Sequence, residues 1–165
     1  MTLSAETLNL IKWYVDASYA VHRDLKSHTG GALTFGKGAA QGVSTKQKIM
    51  TRSSTESELV GTDDVMGPIM WTTYFMEAQG YKVNETIVYQ DNKSAILLEK
   101  NGKMSSGKRT KHINVRYFFI KDLIERAMLK IEYCPTDKMM ADFFTKPLQG
   151  AKFLEFRNQV MGIDA

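Results

Sequence analysis

The chain has 165 residues, enough for one domain with a full core and too few for two ordinary ones. An apolar share of 43% and a charged share of 24% exclude disordered and fibrous classes, and 22 Lys and Arg against 18 acids give a charge of +4 that suits a polyanionic partner without requiring one. The single Cys134 excludes an internal disulfide, and no Cys and His cluster has metal-centre spacing. No run approaches the roughly 18 apolar residues of a membrane span, and the first residues lack the basic start and apolar stretch of a secretion signal. A soluble intracellular protein is expected.

In chain order, residues 1–9 read as a leader. Residues 10–18 alternate as a first strand, and "GGALTFG" (30–36) and "AQGVSTKQK" (40–48) follow as two more, punctuated by glycines as in an antiparallel meander. From 52 to 81, Leu59, Val65, Met66, Ile69, Met70 and Phe75 recur at helical spacing, with Gly67 and Pro68 predicting a kink or split and Gly80 a stop. A strand at 86–91 ends on Asp91, and a short helix covers 92–100. Residues 101–116 hold Lys103, Lys108, Arg109, Lys111 and Arg116 with no acid, a basic loop that is a solvated face or a phosphate-contacting surface. A helix at 112–127, a strand at 129–135 and a small helix at 138–146 complete the body, and 148–165 forms a C-terminal helix or tail. The whole reads as a single domain, 1–165, of the α/β class with a mixed sheet whose first, fourth and fifth strands lie parallel. Asp16 and Asp91 then emerge at one sheet edge, where open α/β sheets carry their sites.

Either acid alone is a strand terminator; side by side they repel unless protonated or bridged by a cation. The helix start "RSSTESELVG" offers Glu56 and Glu58, about 200° apart around the axis, so that only one faces the sheet. With Ser53 as N-cap, Glu56 completes a capping box at the surface and Glu58 is free to face the sheet; with Thr55 as cap the roles reverse. Asp142, in "MMADFF", is an acid among apolar residues and the candidate fourth carboxylate, with Asp137 its rival; Thr136 and Asp137 are also good caps for the small helix. Asp63, Asp64, Asp122 and Glu125 read as solvated helix acids.

The segments "YVDASYAVHRDLKSHTGG", "STKQKIMTRSSTESELV", "YQDNKSAILLEKNG", "RTKHINVRYFF", "IEYCPTDKMMADFFTKPLQG" and "FRNQVMG" together resemble the ribonuclease H domain of the Pol polyprotein of copia-type LTR retrotransposons. The resemblance implies a ribonuclease H-like fold, with a five-stranded mixed sheet in the order 3-2-1-4-5 and helices on both faces. It implies a metal-dependent endonuclease that cuts the RNA strand of RNA–DNA hybrids with two Mg2+ ions, or Mn2+. Asp16 would bridge both ions, Glu58 and Asp91 bind one, and Asp142 the other. Gly30, Gly31, Ser54, Thr55 and Asn92 lie where the family touches the hybrid, with turn, cap and helix-start duties as their alternatives. Lys108, Arg109 and Lys111 would contact the DNA strand, and His112 is a candidate auxiliary group.

Two departures stand out: no histidine in "PTDKMMA" (135–141), where many cellular members have one, and Arg23 where a proline is usual. The implied partners are the hybrid and the reverse transcriptase portion of the same polyprotein, with no membrane. The implied location is the cytoplasm, within a virus-like particle, or the nucleus. The alternatives are a non-catalytic hybrid-binding or structural module of a reverse transcriptase, and the same fold acting on another nucleic acid.

Overall fold

The structure is a computed structural model that describes residues 1–101 and 111–163, without the side chains of 111–114. Its five-stranded sheet is built from β2 (Leu10–Ser18), β3 (His28–Thr34), β5 (Gln41–Lys46), β6 (Glu85–Gln90) and β7 (Lys130–Tyr133), in the order β5-β3-β2-β6-β7. β2, β3 and β5 form the antiparallel meander, and β6 and β7 run parallel to β2. Renumbered along the chain, this is the expected 3-2-1-4-5 arrangement. The leader is not loose: β1 (Ser4–Ala5) pairs with β4 (Gly36–Lys37) as a separate two-stranded ribbon. Thr2 N donates to Met161 O, which brings the two ends of the described chain together.

The period of two along β2 divides the molecule. Ile11, Trp13 and Val15 enter the main core, where Leu59, Val65, Met66 and Ile69 of α1 (Ser54–Ala78) meet them. The alternate residues, Lys12, Tyr14 and Asp16, point to the opposite face, where Tyr14 packs with Met140, Phe144 and Val160. α2 (Lys93–Asn101) and α3 (Lys111–Glu125) join α1 on its side, and α4 (Asp142–Thr145) and α5 (Gly150–Met161) follow on the other. No described helix is long and apolar enough to cross a membrane.

Pro68 does not split α1, which is continuous over 25 residues. Burying Leu59, Val65, Met66 and Ile69 at roughly 1.5–3 kcal/mol each outweighs the ~3 kcal/mol that an interior proline costs. The small helix expected at 138–146 is instead a 3₁₀ turn at Thr136–Lys138 followed by α4. No side chain caps that turn, so Thr136 and Asp137 do not serve as the expected N-caps. Asp63 and Asp64 are not solvated acids either: Arg116 of α3 pairs with both, and Thr29 Oγ1 donates to Asp64 Oδ2 at 3.1 Å. Arg116 is thereby removed from the basic loop and becomes a tie between α1 and α3.

Candidate metal centre

β2 and β6 carry the first two acids by register. Tyr14 lies opposite Tyr89, their rings stacked at 4.9 Å, and two residues further on Asp16, still within β2, comes level with Asp91, the residue after β6. Thr136 Oγ1 donates to Asp91 Oδ2 at 2.7 Å, so the residue expected to cap a helix fixes this carboxylate instead.

The start of α1 decides between the two glutamates. Ser53 is the N-cap, in extended conformation, and its Oγ accepts from Glu56 N at 3.1 Å. Glu56 reaches back to accept from Arg52 N at 2.7 Å, one residue before the position a standard capping box would use. It is largely buried rather than at the surface. Glu58, on the face of Gly61, Thr62, Val65 and Ile69, turns to the sheet, and Gly61 makes room: a Cβ there would lie 3.3 Å from Ala17 Cβ.

Asp16, Glu58 and Asp91 each present an oxygen within 4.8 Å of the others. Burial raises the Asp16 pKa, with Asp142 and Asp91 adding to it and the Lys146 ammonium and Thr145 hydroxyl opposing it. Burial holds Glu58 well above the ordinary carboxylate range, and Asp16 and Asp91 push it further. Glu58 Oε2 is buried without a hydrogen-bond partner among the described residues. Three hard oxygen donors crowded together, the pKa of two of them raised by burial and mutual repulsion, form a site that a divalent cation would relieve.

Asp142 is fully buried at the start of α4 but stands outside this group of three. Lys146 couples it to the group: its Nζ lies 2.6 Å from Asp142 Oδ1 and 3.3 Å from Asp16 Oδ2. Lys152 approaches Asp142 Oδ2 at 3.6 Å, and Thr145 Oγ1 donates to Asp16 Oδ2. Asp137, the rival fourth acid, is exposed. Lys146 and Thr145 are the residues that sequence reasoning missed, although the i, i+4 spacing of Asp142 and Lys146 was a readable signal.

The remaining candidates separate. Gly30 and Gly31 are buried: a Cβ on Gly30 would collide with Thr145 and with Ala141 O at 2.9 Å, and one on Gly31 would press on Val65 at 3.2 Å. What the structure gives them is close packing of α4 and α1 on β3. Ser54 is exposed and Thr55 half-buried in the first turn of α1. Asn92 caps α2, its Oδ1 accepting from Ala95 N at 3.0 Å. Lys108 and Arg109, and the side chains of Lys111 and His112, lie outside the described residues.

No family model matches the chain. Among curated proteins it is similar to the Pol polyprotein from transposon TNT 1-94 of Nicotiana tabacum, with 35% identity over 155 residues, 93% of this chain and 11% of that protein. The Pol polyprotein from transposon RE1 of Arabidopsis thaliana is 30% identical over 149 residues, 89% of this chain and 10% of that protein. The chain is similar to a stretch of retrotransposon Pol polyproteins.

The chain spans about a tenth of the length of those relatives. Its fold is that of solved ribonucleases H. LC11-RNase H1 from compost has a TM-score of 0.57 at 18% identity, covering 81% of this chain and 91% of its own. The N-terminal RNase H domain of rv2228c from Mycobacterium tuberculosis has a TM-score of 0.54 at 10% identity, covering 90% and 96%. LC11-RNase H1 also has a structure in complex with RNA/DNA hybrid, matched with a TM-score of 0.51 at 16% identity over 81% of this chain and 92% of that one.

Proposed function

We propose that this chain is the ribonuclease H domain of a retrotransposon Pol polyprotein, an endonuclease that hydrolyses the RNA strand of RNA–DNA hybrids with divalent metal and serves reverse transcription of its element. The observation that carries the reading is the convergence of Asp16, Glu58 and Asp91 within 4.8 Å at the sheet edge, with Glu58 Oε2 unpartnered among the described residues. A structural relative solved with an RNA/DNA hybrid supports the choice of substrate.

The donor set fits Mg2+ or Mn2+, both of which take carboxylate oxygens. Asp16, Glu58 and Asp91 would hold one ion, and Asp16 with Asp142 a second. Two bound ions supply an activated water and charge stabilisation at the leaving oxygen. The chain's own part is to fix these carboxylates before substrate arrives. β2 and β6 set Asp16 and Asp91 level, the Ser53 and Glu56 caps set the rotation of α1 that aims Glu58, and Thr136 and Thr145 donate to one oxygen each of Asp91 and Asp16. No Ser, Cys or Lys nucleophile is required, because water attacks and the product retains a 5′-phosphate.

The test is incubation with labelled RNA–DNA hybrid, duplex DNA and duplex RNA, each with Mg2+, Mn2+ or EDTA. Cleavage of only the hybrid's RNA strand, lost in EDTA, is expected. If the hybrid binds but is cut with neither metal, the domain is a binding or structural module instead.

A further inference from the structure

Lys146 is placed as a cation would be. Its Nζ sits between Asp142 Oδ1 at 2.6 Å and Asp16 Oδ2 at 3.3 Å, the two carboxylates that the nuclease reading assigns to the second metal ion. Both acids are buried and fixed by the fold, at 0% and 1% exposure. Lys146 differs: its side chain is 36% exposed, it follows the last residue of α4, and the exposed Pro147 comes next. It can therefore rotate toward solvent without moving the backbone that carries Asp142. Asp142 Oδ2 is buried and has no hydrogen-bond partner among the described residues, with the Lys152 ammonium 3.6 Å away. An ammonium and a divalent ion cannot share the same two oxygens, since like charges at such separations repel strongly.

We propose that Lys146 is the domain's built-in competitor for the second metal position. Its ammonium neutralises the Asp16–Asp142 interval until a second divalent cation displaces it, so the two ions bind in order: first the Asp16, Glu58, Asp91 position, then the position that Lys146 vacates. This inference rests on the metal-site reading above and concerns its regulation. It makes occupancy of the second position, rather than of the first, the step that responds to metal concentration.

The experiment measures Mn2+ binding without nucleic acid, by paramagnetic resonance of free Mn2+ at fixed ionic strength, for the wild type, Lys146→Met and Lys146→Gln. The wild type is expected to bind one ion more tightly than a second. In both variants the second should tighten on the order of tenfold or more, the scale on which one neighbouring charge alters a carboxylate's affinity for a cation, while the first, which shares only Asp16 with Lys146, tightens less. Lys146→Arg, which keeps the charge, should stay near the wild type. Should the variants not fold, the wild type alone suffices: the Lys146 15Nζ signal, slowed in exchange by its ion pairs, should broaden away with the second equivalent of Mg2+ and not with the first. Unchanged or weaker second-ion binding in the variants, or a Lys146 signal indifferent to Mg2+, overturns the inference and leaves the nuclease reading standing. A wild type that binds no Mn2+ overturns both. A wild type that cuts no hybrid but shows the expected change in Mn2+ binding overturns only the nuclease reading.

Discussion

Glu99 offers the sharpest test of the forces behind the site. It is fully buried on α2, neither of its oxygens has a close hydrogen-bond partner among the described residues, and burial pushes its carboxyl up to about 8, against the weaker opposing effect of the nearby Thr62 and Gln90 side chains. The native protein therefore keeps a proton on Glu99 at neutral pH, where the unfolded chain has released it. Between about 4.5 and 8 the native state binds more protons than the unfolded state, so stability falls as pH rises through that window and is flat on either side. At about 1.4 kcal/mol per pH unit, the loss is about 3 kcal/mol by pH 7 and about 5 kcal/mol at pH 8 and beyond. Glu99→Gln keeps the shape and removes the titration. Urea unfolding of both proteins from pH 4.5 to 8.5 should show the variant gaining on the wild type by those amounts, with contributions from Asp16 and Glu58 largely common to both. A constant difference across the range would mean that Glu99 is ionised in the fold and that the reasoning is wrong.

Asp91→Asn should lower hybrid cleavage by roughly a hundredfold or more, the scale of losing one group that stabilises developing charge. Its urea midpoint should hold within about 0.5 kcal/mol, because Asn can still accept from Thr136. Glu58→Gln should abolish cleavage yet raise the melting temperature in EDTA, since it removes a buried acid that Asp16 and Asp91 oppose. Glu56→Gln should do the reverse, costing about 1 kcal/mol as a weakened cap and leaving cleavage nearly intact. Gly30→Ala should destabilise by about 1–3 kcal/mol by overpacking, and in a hybrid-cleavage assay should lose activity as Asp142 moves with α4.

The strand register was legible because period two and parallel pairing bring Asp16 and Asp91 level once the order of elements is read. The choice of Glu58 over Glu56 was legible too, since capping chemistry fixes the rotation of α1. What escaped depended on contacts across long stretches of chain. Asp63 and Asp64 look solvated on a helix surface, and only the packing of α3 brings Arg116 to them. Thr136 looks like a cap, and only the closeness of β6 and β7 turns it toward Asp91. Glu99 follows Ala95 and Ile96 at helical spacing, which marks a buried position, but an acid there reads as an interruption of the apolar face rather than as part of it.

The bond between Thr2 and Met161 has a mechanical meaning. Gly162, in a left-handed turn with φ 60, lies so close to Thr2 O that no side chain could stand between them. Strands of polypeptide attached before and after this region would leave from one neck, and the domain would hang from them as a bead on a closed loop. Tension applied to such attached segments would load the Thr2–Met161 bond before it reached the sheet and its carboxylates.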